Sequence, residues 1–380
     1  MAFNLEGINA HVVKHINREI RNSFTSANFM FHWLGLTTPD GVAGINSGDP
    51  GSRPKTGAVF GTGGGMTKAQ IETVRGRPFN NIRFVKAEPN DGAVVEYGGV
   101  TPVASANATE NFGTAEILWT HIQEPIKINK HDLELCRGAD AVGSVVDDAM
   151  LPVWERFVKR INQRFWAGTL TGAQQVAAPM WTDFLGFSHV GTLNNYYGKV
   201  NRAVETSLNA KVFNAATQFA SSNITLEMTR KTNIGFTDAL GALHTGIVDK
   251  TKNGTGATLW VTTKTLWQEL ASQIDGRFVI NSDGIPDQGI GGFRNKVIKF
   301  DDVLITWDQY CPSGEMHGFS LEYWMIEIQE GHNFVASKLV DKAATEQGGE
   351  YILWGNFDAM LRLTNKAPDT HIRIYGLTVP

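Results

Sequence analysis

One periodic stretch constrains this chain more than any other feature. Between residues 141 and 167, Val142, Val145, Val146, Ala149, Val153, Trp154, Phe157, Val158, Ile161 and Phe165 recur at three- and four-residue steps, the pattern of one apolar helix face. Asp147 and Asp148 stand near its start and Lys159, Arg160 and Arg164 near its end, the charge order a helix dipole favours. At 1.5 Å per residue, some 25 residues make a rod about 40 Å long. Such a helix needs an equally long surface to lie on. Pro152 removes one internal hydrogen bond, so a kink or a division is predicted there, and Gly168 is the predicted stop.

What precedes the helix is poor in core. Residues 7–24 place Ile8, Val12, Ile16, Ile20 and Phe24 four apart, an amphipathic helix without an evident partner. The segment that follows is dense in glycine, proline, serine and threonine until Phe60, which predicts an extended arm or loop. Residues 82–128 then read as short strands, NIRFVKAE, AVVEYGG and TAEILWTHIQEPIKI, with a turn at Pro89-Asn90-Asp91-Gly92. A hairpin this long has little core of its own and must pack on something else.

Residues 172–345 form the largest block, with alternating helices and strands. Helical spacing is read at 201–220 and again at 225–243. TGATLWVTTKTLWQELASQI predicts a strand at 258–261, a cap at Thr262 or Thr263, and a helix. KVIKFDDVLITWD and GFSLEYWMIEIQ read as strands, the second changing phase in the middle as a bulge would require. Two more strands, EYILWGNFDAMLRLTN and HIRIYGL, close the chain around Lys366-Ala367-Pro368-Asp369.

Composition excludes several function classes. With 34 Lys+Arg against 38 Asp+Glu the net charge is −4, and no segment carries the basic excess that tight nucleic-acid binding needs. The cluster Arg156, Lys159, Arg160 and Arg164 reads as a solvated or salt-bridged helix face. Cys136 and Cys311 make neither a disulfide framework nor a metal motif, which suits a reducing compartment. No signal-peptide core and no run near the roughly 18 apolar residues of a membrane span are found, so a soluble protein made in a cytoplasm is expected.

Catalytic motifs fail on spacing. Gly61-Thr62-Gly63-Gly64-Gly65 lacks both the Gly-Lys-Ser/Thr of a phosphate loop and the third glycine of a dinucleotide fingerprint, where Met66 stands. His131-Asp132-Leu133-Glu134 would be split between two faces of a strand and has no partner motif. Ser188-His189 misses the nucleophile elbow by one residue, and the pairs Asp147/Asp148 and Asp301/Asp302 are neighbours that seldom converge on a substrate. Scattered aromatics such as Tyr196-Tyr197 and Tyr323-Trp324 leave a sugar platform open, with core or interface packing as the plainer reading. No catalytic residue, cofactor or metal is therefore assigned.

The succession of elements is more informative than any motif. Three stretches, IQEPIKINKHDLELCRGADAVGSVVDDAMLPVWERFVKRINQRFWAG, TLWVTTKTLWQELASQ and GEYILWGNFDAMLRLTNKAPDTHIRIYGL, follow an arm and a hairpin in an order that resembles the major capsid protein of tailed bacteriophages, with its HK97-like fold. The resemblance covers nearly the whole chain. It implies an α+β fold with an N-terminal arm (1–70), an extended β-hairpin E-loop (71–125), a P-domain with a long spine helix (126–171 and 346–380) and an A-domain (172–345). It further implies a structural, non-enzymatic protein that self-assembles into hexamers and pentamers of an icosahedral head enclosing double-stranded DNA without sequence-specific contact. Implied partners are other copies of the chain, a separate scaffolding protein, a portal and a decoration protein, with the virion as location and the host cytoplasm as place of assembly.

On this resemblance, Phe60, Phe112, Ile117 and Trp119 are candidate inter-subunit contacts, buried only on assembly. Some family members cross-link through an E-loop lysine. Here only Lys86 stands near the hairpin base, which implies a shell without cross-links. Two other readings remain: an encapsulin-type cellular compartment, and a carbohydrate-active enzyme with two convergent acids in a pocket.

Overall fold

The structure, a computed structural model, describes residues 70–74, 79–85, 112–135, 139–167, 187–191, 193, 196–251, 254, 256–275, 298–300, 303–329, 335–341 and 352–379. The expected helix at 7–24, the glycine-rich stretch with Phe60, Lys86, the 89–92 turn, Cys136 and the Asp301/Asp302 pair lie outside the described residues.

Along the chain, strands β1 (Gln70–Val74), β2 (Phe79–Val85), β3 (Phe112–Leu118) and β4 (Thr120–Asn129) lead through a short helix, Lys130–Leu135, into the long helix Ala139–Ala167. That helix runs unbroken through Pro152 and ends just before Gly168, so the predicted division is absent. Pro152 and Asp148 are both on the exposed side, where water can take the carbonyl that the missing N–H leaves over. A one-turn helix, Phe187–Val190, is followed by the small ladder of β5 (Tyr196–Tyr197) and β6 (Val200–Asn201).

The stretch 201–220 is not one helix, as its spacing predicts. It holds a 3-10 turn, Thr206–Leu208, the strand β7 (Lys211–Asn214) and a single helical turn, Ala215–Gln218, which Asn214 caps by accepting from the Thr217 N–H at 3.4 Å. Pairing of β7 with a distant strand and burial of Phe213 override the weak helical preference. In 225–243 the helix occupies only Leu226–Ile234 and stops at Gly235, whose φ of 110° suits glycine. A hairpin of β8 (Gly235–Thr237) and β9 (Leu243–Thr245) follows. Then come β10 (Leu259–Thr262), the helix Lys264–Asp275, β11 (Ile298–Phe300) and β12 (Val303–Trp307). Thr263 holds the cap position, its carbonyl accepting from the Trp267 N–H, while Thr262 instead donates its hydroxyl to the Glu315 carbonyl.

The stretch 318–329 contains no bulge. β13 (Glu315–Phe319) ends, a 3-10 turn Leu321–Tyr323 intervenes, and β14 (Trp324–Gln329) starts in a different sheet. The buried Ser320 hydroxyl donates to the carbonyls of Gly256 and Thr370 and pins this crossing. β15 (Val335–Ala336), β16 (Val340–Asp341), β17 (Ile352–Asn365) and β18 (Ile372–Tyr375) complete the order, with a further 3-10 turn, Pro368–Thr370, between the last two.

Two six-stranded sheets organise the described residues. In the first, β17 pairs antiparallel with β4 along one edge and with β14, β15 and β16 along the other, and β1 adds parallel to β14. The alternation of β17 turns Leu353, Phe357, Ala359 and Leu361 inward, all with no exposure. The long helix lies on this face: Trp154 meets Phe357 edge-on at 5.6 Å and Phe157 stacks on it at 6.0 Å. The second sheet runs β11-β12-β10-β13-β18-β7, its parallel β10 and β12 joined through the helix Lys264–Asp275. Leu266 and Leu270 of that helix pack with Trp260, Ile305, Met316 and Ile374.

Strand pairing does not follow the boundary expected at 345/346. β14, β15 and β16 precede it yet pair with β17, and β18 follows it yet sits between β13 and β7. The chain crosses from the second sheet to the first at Leu321–Tyr323 and back at Pro368–Thr370.

Candidate assembly surfaces and a buried polar junction

The hairpin of β2 and β3 is in register from Phe79↔Leu118 to Val85↔Phe112. Its inner face carries Ile82, Phe84, Ala115 and Ile117 into the same core as the long helix. Ile117 is 3 % exposed within the single chain, so the expectation that assembly alone buries it is corrected: the hairpin base packs on its own body. Glu116 ties it there, its N–H donating to the Gly198 carbonyl at 2.8 Å and its carboxylate pairing with Lys199. Trp119, the single residue between β3 and β4, is half-buried beneath the Arg362 guanidinium. Phe60 and the side chain of Phe112 lie outside the described residues.

Exposed apolar surface occurs elsewhere. Ile234, Leu240 and Leu243, at 64 %, 74 % and 76 % exposure, sit on or beside the hairpin of β8 and β9. Its turn is organised by Asp238, whose carboxylate accepts from the N–H groups of Leu240 and Ala242 and from His244. The His244 hydrogen bond holds the Asp238 carboxyl below its usual range. The helical spacing expected over 225–243 hides these residues, although Asp238-x-x-Gly241 between two short apolar runs is a turn signal.

The basic helix face is paired as expected: Arg156 and Arg160 both reach Glu124 on β4, at 3.4 and 2.8 Å. His131 and Asp132 are exposed on the short helix Lys130–Leu135, not on a strand. Among the described residues no group of three or more His, Cys, Asp or Glu is placed to hold a metal, and no helix is long and apolar enough to cross a membrane. The side chains of Ser188 and His189 lie outside the described residues.

A polar cluster with no local sequence signal lies where the end of the long helix meets β13 and β18. The Glu315 carboxylate is held by Arg373, with Nε at 3.0 Å, and by His317 Nε2 at 3.0 Å. Burial alone raises Glu315, but these two hydrogen bonds outweigh it and bring it to about 2. His317 Nδ1 faces His371 Nε2 at 3.2 Å, and both rings have no exposure. Burial lowers both, His371 well below the ordinary histidine range. Nearby, burial pushes Asp308 up to about 6, raises the Cys311 thiol and the Tyr197 phenol, and brings the Arg202 guanidinium down to about 9. This arrangement ties β13 to β18 within the second sheet, where Trp166 at the end of the long helix packs edge-on against His317.

No family model matches the sequence, and no curated protein matches it. Solved structures do. A chain of the cyanophage A-1(L) capsid asymmetric unit superposes with a TM-score of 0.51 over 80 % of this chain and 90 % of that one, at 13 % identity. The protein has a capsid-type fold. The SrpI encapsulin of Synechococcus elongatus (TM-score 0.45, 8 % identity, 81 % and 84 % covered) and the capsid of a native GTA particle (0.45, 10 %, 88 % and 99 %) are similar more distantly. The capsid-type fold is α+β: a helix-backed sheet, a βαβ-containing second sheet and a two-stranded hairpin whose described residues pack on the core.

Proposed function

We propose that this chain is a structural shell protein, without enzymatic activity, that self-assembles into hexamers and pentamers of an icosahedral phage head around double-stranded DNA. The observation that carries the reading is the superposition on the cyanophage capsid chain, which extends over nine-tenths of that chain rather than one shared motif. In this reading the residues before β1 are the arm, the β2–β3 hairpin the E-loop, the long helix with the first sheet the P-domain, and the second sheet the A-domain. A separate scaffolding protein, a portal and a decoration protein are the proposed partners, and DNA is enclosed without sequence-specific contact, in keeping with the net charge of −4. The virion is the proposed location, with assembly in the host cytoplasm. Trp119 and the exposed Leu240 and Leu243 are the proposed inter-subunit contacts, together with Phe60 and Phe112.

Negative-stain electron microscopy with sedimentation velocity on the purified full chain tests the reading. Closed shells, tubes, or free hexamers and pentamers support it; a stable monomer or dimer under crowding and with co-expressed head proteins refutes it. Particles that protect DNA from nuclease are expected, and particles filled with a protein cargo would favour a cellular compartment. A covalent ladder on a denaturing gel of mature particles would overturn the expectation of a shell without cross-links.

A further inference from the structure

The side-chain chain between β13 and β18 has a direction. Glu315, kept ionised by Arg373, can only accept hydrogen bonds, so the Nε2 of His317 facing it at 3.0 Å must carry a proton. A neutral imidazole has one proton, which leaves His317 Nδ1 as an acceptor. His371 Nε2, 3.2 Å away, must then be the donor. Both rings are thereby fixed in the Nε2–H tautomer, and the lone pair still free is on His371 Nδ1, which is buried and has no hydrogen-bond partner.

We propose that the His371–His317–Glu315 chain is a proton-operated latch between β13 and β18 of the second sheet, closed while both imidazoles are neutral and opened when Nδ1 of His371 takes up a proton. The surroundings make that proton costly. Trp166 of the long helix lies edge-on to His317 at 5.2 Å, and Phe319 and Trp324 approach His371 at 5.0 and 5.4 Å, so an added charge meets aromatic walls rather than water. The charged groups facing the pair are Glu315 on β13, Arg373 on β18 and Arg202 from the turn after β6. Glu315 is already engaged by Arg373 and His317, and both arginines repel an imidazolium at His371; the Gly318 carbonyl offsets part of this. The folded chain therefore binds this proton more weakly than the unfolded chain does. The latch is fully closed above about pH 6.5 and its contribution fades as pH falls below that value. The backbone carbonyl of His371 also accepts from Lys211, so release at this point loosens β7 with β18.

Hydrogen exchange by mass spectrometry on the full chain from pH 8 to pH 4, corrected for the intrinsic pH dependence of exchange, tests the latch independently of shell formation. Residues 315–319 and 372–375 are expected to lose protection before residues 122–128 and 353–361. His371→Gln keeps a donor for His317 and cannot be protonated, so it is expected to move that loss to lower pH by about one unit or more. His121→Gln, a change at an exposed histidine paired with Asp358, is expected to leave it in place. Simultaneous loss in both sheets, or an unshifted loss in His371→Gln, overturns the proposal. Where His371→Gln does not fold, the order of loss in the unsubstituted chain decides alone.

Discussion

Arg362 lies over Trp119 with its guanidinium carbon 4.1 Å from the ring centroid, and the same side chain pairs with Glu327 and donates to the Ile117 carbonyl at 3.4 Å. One residue of β17 thus holds β14, the end of β3 and the joint to β4 together. Arg362 and Glu327 are both buried, so taking away the cation alone strands a carboxylate in the core. Arg362→Met is expected to cost about 3–5 kcal/mol by urea denaturation, and Arg362→Met with Glu327→Leu to recover most of it. An equal loss in single and double variants would show that packing on Trp119, not charge, matters there.

Asp308 gives a pH-dependent expectation of the opposite sign to the histidines. Burial raises its carboxyl from 3.8 to about 6, against the hydrogen bond it accepts from the Tyr310 N–H at 2.7 Å. The folded chain therefore holds this proton more tightly than the unfolded one. The contribution to stability is complete below pH 3.8 and is lost as pH rises to about 6. Asp308→Asn keeps an acceptor for Tyr310 and removes the buried charge. It is expected to match the unsubstituted chain near pH 4 and to exceed it above pH 6 by up to about 3 kcal/mol in urea midpoints at matched pH. A constant offset across that range would contradict the assignment.

Leu240 and Leu243 spend their apolar surface on solvent in the isolated chain. Leu240→Ser with Leu243→Ser is expected to change folding stability by less than about 0.5 kcal/mol per site while lowering the fraction that sediments as assemblies. Unchanged assembly would remove this hairpin from the proposed interface.

Gly198 sits at φ +53°, and a Cβ added there would stand 2.9 Å from the Glu116 nitrogen. Gly198→Ala is expected to cost about 1–3 kcal/mol and to lower exchange protection in β3 more than in β17. Protection in β3 equal to that of the unsubstituted chain would show that Gly198 does not anchor the hairpin.

Legibility in the sequence followed the range of the interactions. The long helix was readable to within two residues because its apolar stripe is local, and the β10–helix unit because Thr263 and the strand before it are neighbours. The stretch 201–220 was misread because β7 owes its form to β18, far along the chain. The phase change after Phe319 looked like a bulge because nothing local tells a strand that its partner has changed sheets. Ile117 reads as an interface residue in the sequence because its cover comes from the long-helix core rather than from its own hairpin. His317 and His371 carry no mutual signal at all until β13 and β18 are side by side.

The position of β18 also sets a clock. It leaves the ribosome long after β7, yet it fills an interior place between β13 and β7, so β7 waits for its partner while the intervening chain is made. The second sheet closes only once β18 has emerged, and a nascent chain short of that point lacks the surface that sheet presents. A chain truncated before β18 is expected to lose the sheet rather than have its edge trimmed.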